Sequence, residues 1–272
     1  MSLLNEAKKM SLCYEKGQQL FCEQNIYQYL CDISMFWKNI LEIEKTNYRT
    51  KQETEIIFKK LLLSKVKNKP INYVLILCPS YLKGRGQFGF KENIGETTIN
   101  LILYLQNIVD LSKTYKISAK SEIWFSDLLV ENYKMMDKLY VSNALDRNYQ
   151  QIQNRVGEIA FVRKLSEIGN LKDTVGIEGK NTIHQIPDRI IKSIMLRSNK
   201  FYFDILGWTE HDVEERMKIL APSYQKIGEE LNKDSFSIMI FGENNLERGK
   251  MYSGPQTPNS LVSIIYPKLE KK

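Results

Sequence analysis

The amino-acid sequence predicts an α/β protein with a parallel sheet flanked by helices and an N-terminal helical extension. Residues 71–78 form a continuous apolar segment of strand length, which is typical of a strand buried on both faces in the centre of a sheet. Residues 97–114 then show helical periodicity, and residues 122–125 form a second short apolar segment. A strand, a helix and a strand in this order form a βαβ unit with parallel strands, so we expect a Rossmann-like sheet.

The chain is long enough to bury a substantial core, because it has 272 residues, of which 43% are hydrophobic. The low content of Gly and Pro and the 11% of aromatic residues exclude collagen-like and intrinsically disordered proteins. Lys and Arg number 39 against 32 Asp and Glu, and the resulting net charge of +7 favours a polyanionic partner. No apolar segment has the length of a membrane span, and the charged N-terminus does not resemble a secretory signal. We therefore expect a cytoplasmic protein that does not associate with a membrane.

Two domains are predicted, an N-terminal helical extension at 1–69 and a Rossmann-like domain at 70–272. Apolar residues recur at helical spacing through residues 5–67, and Pro70 ends that section. Part of this pattern is expected to form one packed face. Its members are Phe21, Ile26, Tyr29, Leu30, Ile33, Phe36, Trp37 and Ile40.

The cysteines do not have the spacing of a metal site. Cys13, Cys22 and Cys31 recur every nine residues on a helical segment, so neighbours point to opposite faces of the helix, and Cys78 lies far from them. We expect these residues to be buried thiols. The chain has only 2 His, so we expect no metal, and we expect no cofactor either.

The rest of the chain continues the alternation of helices and strands. Hydrophobic periodicity predicts helices at 128–156, 188–206 and 209–231, and strands at 158–162 and 235–241. Residues 170–187 are expected to form a loop, and a Gly- and Pro-rich tail closes the chain.

The first predicted strand ends beside a candidate nucleophile. Ligands of parallel sheets bind at the carboxyl ends of the strands, and Ser80 follows the first strand while Asp127 follows the second. Ser80 either acts as a nucleophile or merely caps the turn. The sequence has no G-x-S-x-G motif, which argues against an ordinary hydrolase.

The segment after Ser80 is glycine-rich and basic. Gly84, Gly86 and Gly89 match the pattern G-x-G-x-x-G, whose glycines let backbone amides approach a phosphate. The next helix begins several residues later, so the dinucleotide-binding context is absent. We expect residues 83–89, with Lys83 and Arg85, to be a flexible basic lip over the pocket.

The predicted helix at 128–156 combines basic residues with tyrosines and amides, a composition that suits a nucleic-acid backbone. The alternative is an ordinary solvated face. Lys134 and Lys138 are four residues apart and share one face, which is expected to make the contacts. The basic residues are Lys134, Lys138, Arg147 and Arg155, followed by Arg163 and Lys164, and the tyrosines are Tyr133, Tyr140 and Tyr149.

A late helix carries a tyrosine near two adjacent carboxylates. Tyr224 precedes Glu229 and Glu230 on the predicted helix at 209–231. A carboxylate beside a tyrosine hydroxyl can move protons to and from an amine or an ester. The alternative is ordinary charge on the surface of the helix.

These segments together resemble the tRNA-dependent cyclodipeptide synthases. Residues 161–168 resemble a family motif, V-R-x-[LM]-S-E-[LF], and residues 124–133 resemble the family's strand that ends in Asp before a basic helix. Ser80 stands where the family has the serine of a G-x-S-x-x-N motif. Tyr224, with Glu229 or Glu230, resembles the pair that holds the substrate amine, and Tyr252 resembles a further tyrosine of the site. The resemblance covers roughly residues 70–258.

The resemblance implies a Rossmann-like fold related to class I tyrosyl- and tryptophanyl-tRNA synthetases. It implies a transferase that uses two aminoacyl-tRNAs to form a cyclic dipeptide, a diketopiperazine, through an aminoacyl ester of Ser80. Cys78, Lys83, Arg85 and Asp127 are then expected to line the substrate site. Cys78 replaces the glycine and Lys83 the asparagine of the serine motif.

Two other functions stay open at this point. Residues 69–71, 78–79, 95–96, 126–127 and 197–198 also resemble isonitrile synthases, which convert an amino acid to its isocyanide. The late R-L-S-I-H motif of that family is missing from the sequence. The third possibility is a non-catalytic RNA-binding module, and aminoacylation of Ser80 separates the first function from both others.

Overall fold

The computed structural model describes residues 23–44, 51–84, 87–129, 138–175, 209–242 and 263–266. The helices are α1 (Glu23–Glu44), α2 (Lys51–Lys67), α3 (Glu96–Thr114), α4 (Lys138–Val156), α5 (Leu171–Thr174) and α6 (Glu210–Asn232). The strands are β1 (Ile71–Leu77), β2 (Tyr81–Gly84), β3 (Gln87–Phe90), β4 (Ala119–Phe125), β5 (Phe161–Lys164), β6 (Ser237–Gly242) and β7 (Ser263–Tyr266). A 3₁₀ turn, Leu165–Glu167, follows β5.

Within the described residues, five parallel strands form the main sheet in the order β5-β4-β1-β6-β7. β1 is central and pairs with β4 on one side and with β6 on the other. Along the chain, β4 and β5 follow β1 and lie on one side of it, and β6 and β7 come later and lie on the other side. This confirms the predicted Rossmann-like fold, and the switch point of the sheet lies between β1 and β6.

β1 is buried as its apolar sequence predicts. Every side chain from Ile71 to Leu75 is buried, and so is Leu77. Tyr73 and Leu75 belong to one hydrophobic cluster that also contains residues of α1, α2, α3 and α4. Val74 points to the opposite face and is buried outside that cluster. Since successive side chains of a strand point to opposite faces, both faces of β1 are covered.

The N-terminal helices complete one face of the sheet. α1 contacts α3 and β7, and α2 contacts β1. α3 contacts β1 and β4, and α4 contacts β5, so these two helices cover the half of this face that contains β4 and β5. α1 and α2 cover the other half, with Ile33, Phe36 and Ile40 fully buried. The predicted packed face is thus confirmed for its described members, and the predicted boundary at 69 and 70 falls between elements of one continuous core.

Several elements differ in extent from the predictions. The helix predicted at 128–156 is α4, which begins at Lys138, and residues 130–137 lie outside the described part. The strand predicted at 158–162 is β5, which lies slightly later in the chain. α5 lies at the start of the predicted loop at 170–187, and the C-terminal tail contains β7. The helix predicted at 188–206 lies outside the described residues.

The segment predicted as a flexible lip is a β-hairpin instead. β2 and β3 are antiparallel, with Tyr81 opposite Phe90 and Gly84 opposite Gln87. Only residues 85 and 86 lie between the two strands in the sequence. The glycines misled the sequence-based prediction, because Gly84 and Gly89 lie within the paired strands.

The prediction of buried thiols is wrong for Cys31 and Cys78, which are both exposed. Cys78 directly follows β1, where the strand leaves the core. Among the described residues, no cluster of His, Cys, Asp and Glu is placed to hold a metal ion. In the same part of the chain, no helix is long and apolar enough to cross a membrane.

Candidate active site around Ser80

Ser80 lies three residues beyond β1, at the carboxyl end of the central strand and beside the switch point. The backbone N–H of Gly95 donates a hydrogen bond of 2.8 Å to the Ser80 Oγ. The hydroxyl of Thr98 lies 3.4 Å from the same oxygen. Gly95 is the N-cap of α3, so the Ser80 hydroxyl faces the positive end of a helix dipole. The hydrogen bond from Gly95 and the helix dipole both stabilise negative charge on the Ser80 Oγ when it loses its proton.

The backbone of Ser80 is held on both sides. Its N–H donates a hydrogen bond of 3.1 Å to the Oδ1 of Asn148, and its carbonyl accepts one of 2.8 Å from the N–H of Lys91. The Asn148 amide nitrogen donates to the carbonyls of Lys91 and Ala144. Asn148 is 1% exposed, so solvent does not compete for these bonds. The role of this residue is not visible in the sequence, because its partners lie on distant elements.

Gly95 leaves an open space next to the Ser80 hydroxyl. A Cβ atom at Gly95 would lie 3.5 Å from the Ser80 Oγ and 3.8 Å from the Lys91 Nζ. Those distances are ordinary van der Waals contacts. A group of about the size of a methyl therefore fits between the hydroxyl and the ammonium.

α4 uses much of its polar surface to hold the segment that leads to Gly95. The Tyr140 hydroxyl accepts a hydrogen bond of 3.1 Å from the N–H of Phe90. Gln151 accepts from the N–H of Ile94 and donates to the carbonyl of Glu92, both at 2.7 Å. Asn148 acts in the same way, so several tyrosine and amide side chains of the predicted nucleic-acid surface bind the backbone of this protein.

The basic residues of this region differ in their surroundings. Arg147 and Arg155 are exposed on α4, and they point about 80° apart because a helix turns about 100° per residue. Lys138 begins α4, but its side chain lies outside the described part, as does all of Lys134. The two later residues form ion pairs: Arg163 with Glu122 at 2.5 Å, and Lys164 with Asp146 at 2.7 Å.

The carboxyl end of β4 contains a buried carboxylate. Asp127 is 5% exposed and accepts hydrogen bonds from the Ser166 N–H at 3.2 Å and from the Ser166 hydroxyl at 2.5 Å. Ser166 belongs to the 3₁₀ turn after β5. The structure thus joins the two segments that carried the best family resemblance. The neighbouring Ser126 is fully buried, and its hydroxyl has no hydrogen-bond partner among the described residues.

α6 does not bring Tyr224 together with either candidate acid. Tyr224 is 6% exposed and lies on the buried face. Glu229 and Glu230 follow by five and six residues, and rotations of about 140° and −120° turn them away from it. Glu229 pairs with Lys226 at 2.7 Å. The residue one helical turn after Tyr224 is Gly228, so no carboxylate occupies the position next to Tyr224 on the helix.

Glu230 packs on a different element. Its carboxylate lies against Gly169, where a Cβ atom would be 2.9 Å from one carboxylate oxygen. Gly169 has a φ of 50°, a conformation that favours glycine. Glu230 also pairs with Lys233 at 2.5 Å. It therefore holds the turn before α5 against α6.

The other predicted site residues are only partly described. Cys78 is exposed next to the site, and Lys83 lies on β2, although its side chain lies outside the described part. Arg85 and Tyr252 fall on residues that the structure does not describe. Their roles stay predictions.

Comparison with solved structures supports the fold. The PvcA protein from Pseudomonas aeruginosa is similar, with a TM-score of 0.54, 12% identity, and coverage of 87% of this chain and 82% of that one. Tryptophanyl-tRNA synthetase from Plasmodium falciparum has a TM-score of 0.42 and 15% identity, over 85% of this chain and 65% of that one. No protein-family model and no curated protein matches the sequence. At such low identity the likeness to PvcA shows the fold alone, and at that level it bears out the resemblance drawn from the sequence.

Proposed function

We propose that this protein is a tRNA-dependent cyclodipeptide synthase in which Ser80 is the nucleophile. The observation that carries this proposal is the position of the Ser80 hydroxyl, which lies at the switch point of the sheet and accepts a hydrogen bond of 2.8 Å from the N–H of Gly95. The switch point is where open α/β sheets bind their ligands. The segments most similar to the cyclodipeptide synthases include β4 and β5, which belong to the same parallel sheet.

The reaction begins with attack of the Ser80 Oγ on the ester carbonyl of an aminoacyl-tRNA. The bond from the carbonyl carbon to the ribose oxygen breaks, the ribose oxygen receives the proton of the serine, and the aminoacyl group becomes an ester of Ser80. The amine of this group then attacks the ester carbonyl of a second aminoacyl-tRNA. The bond from that carbonyl carbon to the second ribose oxygen breaks, this oxygen takes the proton that the amine loses, and a dipeptide stays on Ser80. The free amino end of the dipeptide attacks the serine ester, closes the ring and restores the hydroxyl. Both substrates are already activated esters, so no ATP is needed.

The proposed partner agrees with the charge of the chain. The net charge of +7 attracts a polyanion, and Arg147 and Arg155 lie exposed on α4. Tyr224 remains the proposed ligand of the substrate amine, and Glu229, Glu230 and Tyr252 are proposed only from the resemblance.

The test is to incubate the full-length protein with tRNA that is charged with a labelled amino acid, and to identify the labelled peptide by mass spectrometry. We expect the label on Ser80 and its loss in Ser80→Ala. Ser118→Ala is the matched control. This exposed serine directly precedes β4, so it lies at the amino ends of the strands, whereas Ser80 lies at their carboxyl ends. Undiminished label in Ser80→Ala would remove Ser80 from the reaction.

Small molecules from bacteria that express the protein give a second readout. A cyclic dipeptide that disappears in Ser80→Ala supports the proposal. An isocyanide would instead assign the chain to isonitrile synthesis. Binding of tRNA without labelled protein and without a product would assign it to RNA binding.

A further inference from the structure

Ser80 and Lys91 are neighbours across the hairpin. The register of β2 and β3 places Tyr81 opposite Phe90, so the next pair outside the strands is Ser80 and Lys91. The hydrogen bond of 2.8 Å from the Lys91 N–H to the Ser80 carbonyl continues the ladder by one step. Side chains at directly opposite positions of an antiparallel pair project to the same side, with Cβ atoms about 5 Å apart. The hairpin thus brings a lysine to the serine from eleven residues further along the chain.

Asn148 holds this pair in place. Its side-chain oxygen accepts from the N–H of Ser80 at 3.1 Å, and its side-chain nitrogen donates to the carbonyl of Lys91 at 3.3 Å. One buried side chain thus connects the backbones of both residues. The two side chains meet at the space above Gly95, where the Ser80 Oγ and the Lys91 Nζ both lie within 4 Å of one point.

The Lys91 ammonium is available for a ligand. Lys91 is exposed, and no carboxylate among the described residues pairs with it. Lys113 and Lys164 differ in this respect, because each forms an ion pair. A lysine ammonium attracts negative charge and has no lone pair with which to accept a proton.

We propose that Lys91 is a catalytic residue that stabilises the oxyanion formed when Ser80 attacks the aminoacyl ester. This inference rests on the proposed function. As the Oγ bonds to the carbonyl carbon, an electron pair moves to the carbonyl oxygen, which becomes negatively charged. The carbonyl group occupies the space above Gly95, next to the Lys91 ammonium. When the electron pair returns, the bond to the ribose oxygen breaks and the proton of Ser80 passes to that oxygen. Positive charge placed where an oxyanion develops lowers the barrier more than it strengthens binding of the ester.

The test measures single-turnover acylation of Ser80 at saturating aminoacyl-tRNA. Lys91→Met keeps the length of the side chain and removes its charge. We expect the acylation rate to fall by about 10²–10³-fold, the typical effect of removing one oxyanion-stabilising group, while the affinity for aminoacyl-tRNA changes little. Lys91→Arg keeps the charge and should recover part of the rate. Lys113→Met is the control, because it removes a charge at the far end of α3, about 27 Å from Gly95 along the helix axis.

The outcomes separate this inference from the proposed function. Absence of label on Ser80 in the wild-type protein would overturn both. A labelled wild type together with an unchanged rate in Lys91→Met would overturn only the role of Lys91. A weakened affinity with an unchanged saturated rate would also overturn it, since Lys91 would then bind a tRNA phosphate. Thermal unfolding of each variant near the wild-type temperature shows that the rates refer to folded protein.

Discussion

The carboxylate of Asp127 accepts two hydrogen bonds from Ser166, one from its backbone N–H and one from its hydroxyl. Asp127 follows β4, whereas Ser166 follows β5, so this contact ties the carboxyl ends of two adjacent strands together. Both oxygens of a buried carboxylate are thereby occupied. Asp127 therefore has a structural effect, which is to hold the carboxyl ends of β4 and β5 together at the end of the sheet where the candidate site lies.

Removal of the Ser166 hydroxyl should destabilise the protein. In Ser166→Ala the buried Asp127 carboxylate loses one of its two donors, and loss of a hydrogen bond to a buried charged group costs about 1.5–3 kcal/mol. Urea denaturation measures the change in the free energy of unfolding. Ser118→Ala, which alters an exposed serine, is the control and should remain within about 0.5 kcal/mol of the wild type. An equally small effect in Ser166→Ala would show that the bond adds no stability.

Asn148 should affect both stability and the reactivity of Ser80. Asn148→Leu removes one acceptor and two donated hydrogen bonds in a buried position, so we expect a loss of about 2–4 kcal/mol and slower acylation of Ser80. Asn154→Ala changes an exposed asparagine of the same helix and serves as control. Normal acylation in Asn148→Leu, measured below its unfolding temperature, would show that Ser80 does not depend on this side chain.

Lys60 should make stability depend on alkaline pH. It is 8% exposed, its Nζ donates 2.9 Å to the Ser237 carbonyl, and burial lowers its pKa from 10.5 to about 8. Between these two values the unfolded chain binds a proton that the folded protein has released, so the Lys60 contribution makes stability rise with pH across this window. The upper limit of that rise is about 3 kcal/mol.

Lys60→Met tests this directly. The variant should lack the rise between pH 8 and 10.5, as measured by the free energy of unfolding at each pH. Lys59→Met, which changes the exposed neighbouring residue, should keep it. A parallel pH dependence in the wild type and Lys60→Met would mean that Lys60 stays charged in the folded protein.

The basic residues near the start of α4 should determine the salt dependence of tRNA binding. Lys134 and Lys138 are the proposed contacts, and each phosphate contact that is lost should reduce the slope of log affinity against log salt by somewhat under about one unit. The measurement compares Lys134→Ala/Lys138→Ala with Arg147→Ala across a salt series. If only Arg147→Ala flattens the slope, the contacts lie on the other face of α4. If neither does, tRNA does not bind this helix.

Much of the fold follows from patterns that are local in the sequence. The apolar segment before Ser80 predicted β1, and helical periodicity predicted α3 to within one residue of its start and α6 at 209–231. These patterns are informative because burial imposes one spacing of apolar residues on a strand and a different spacing on a helix. They also located the end of β1, and with it the candidate nucleophile.

The hairpin and the last strand were not predicted, because neither segment has a local sequence pattern that identifies a strand. Glycines at 84, 86 and 89 have the composition of a loop, and only the pairing of β2 with β3 distinguishes a hairpin from it. β7 has only four residues and is a strand through its pairing with β6. A short segment contains too few residues for periodicity to identify it.

The sequence alone determined that Ser80 follows a strand of a parallel α/β sheet, because the alternation of apolar strands and amphipathic helices is visible in the sequence. Only the tertiary structure decided what surrounds that serine. Asn148 reaches Ser80 from 68 residues away, because the crossover through β4 packs α4 against the same face of the sheet as α3. Lys91 reaches it through the register of a hairpin. Contacts between distant segments depend on how elements pack, and no spacing within a single segment records them.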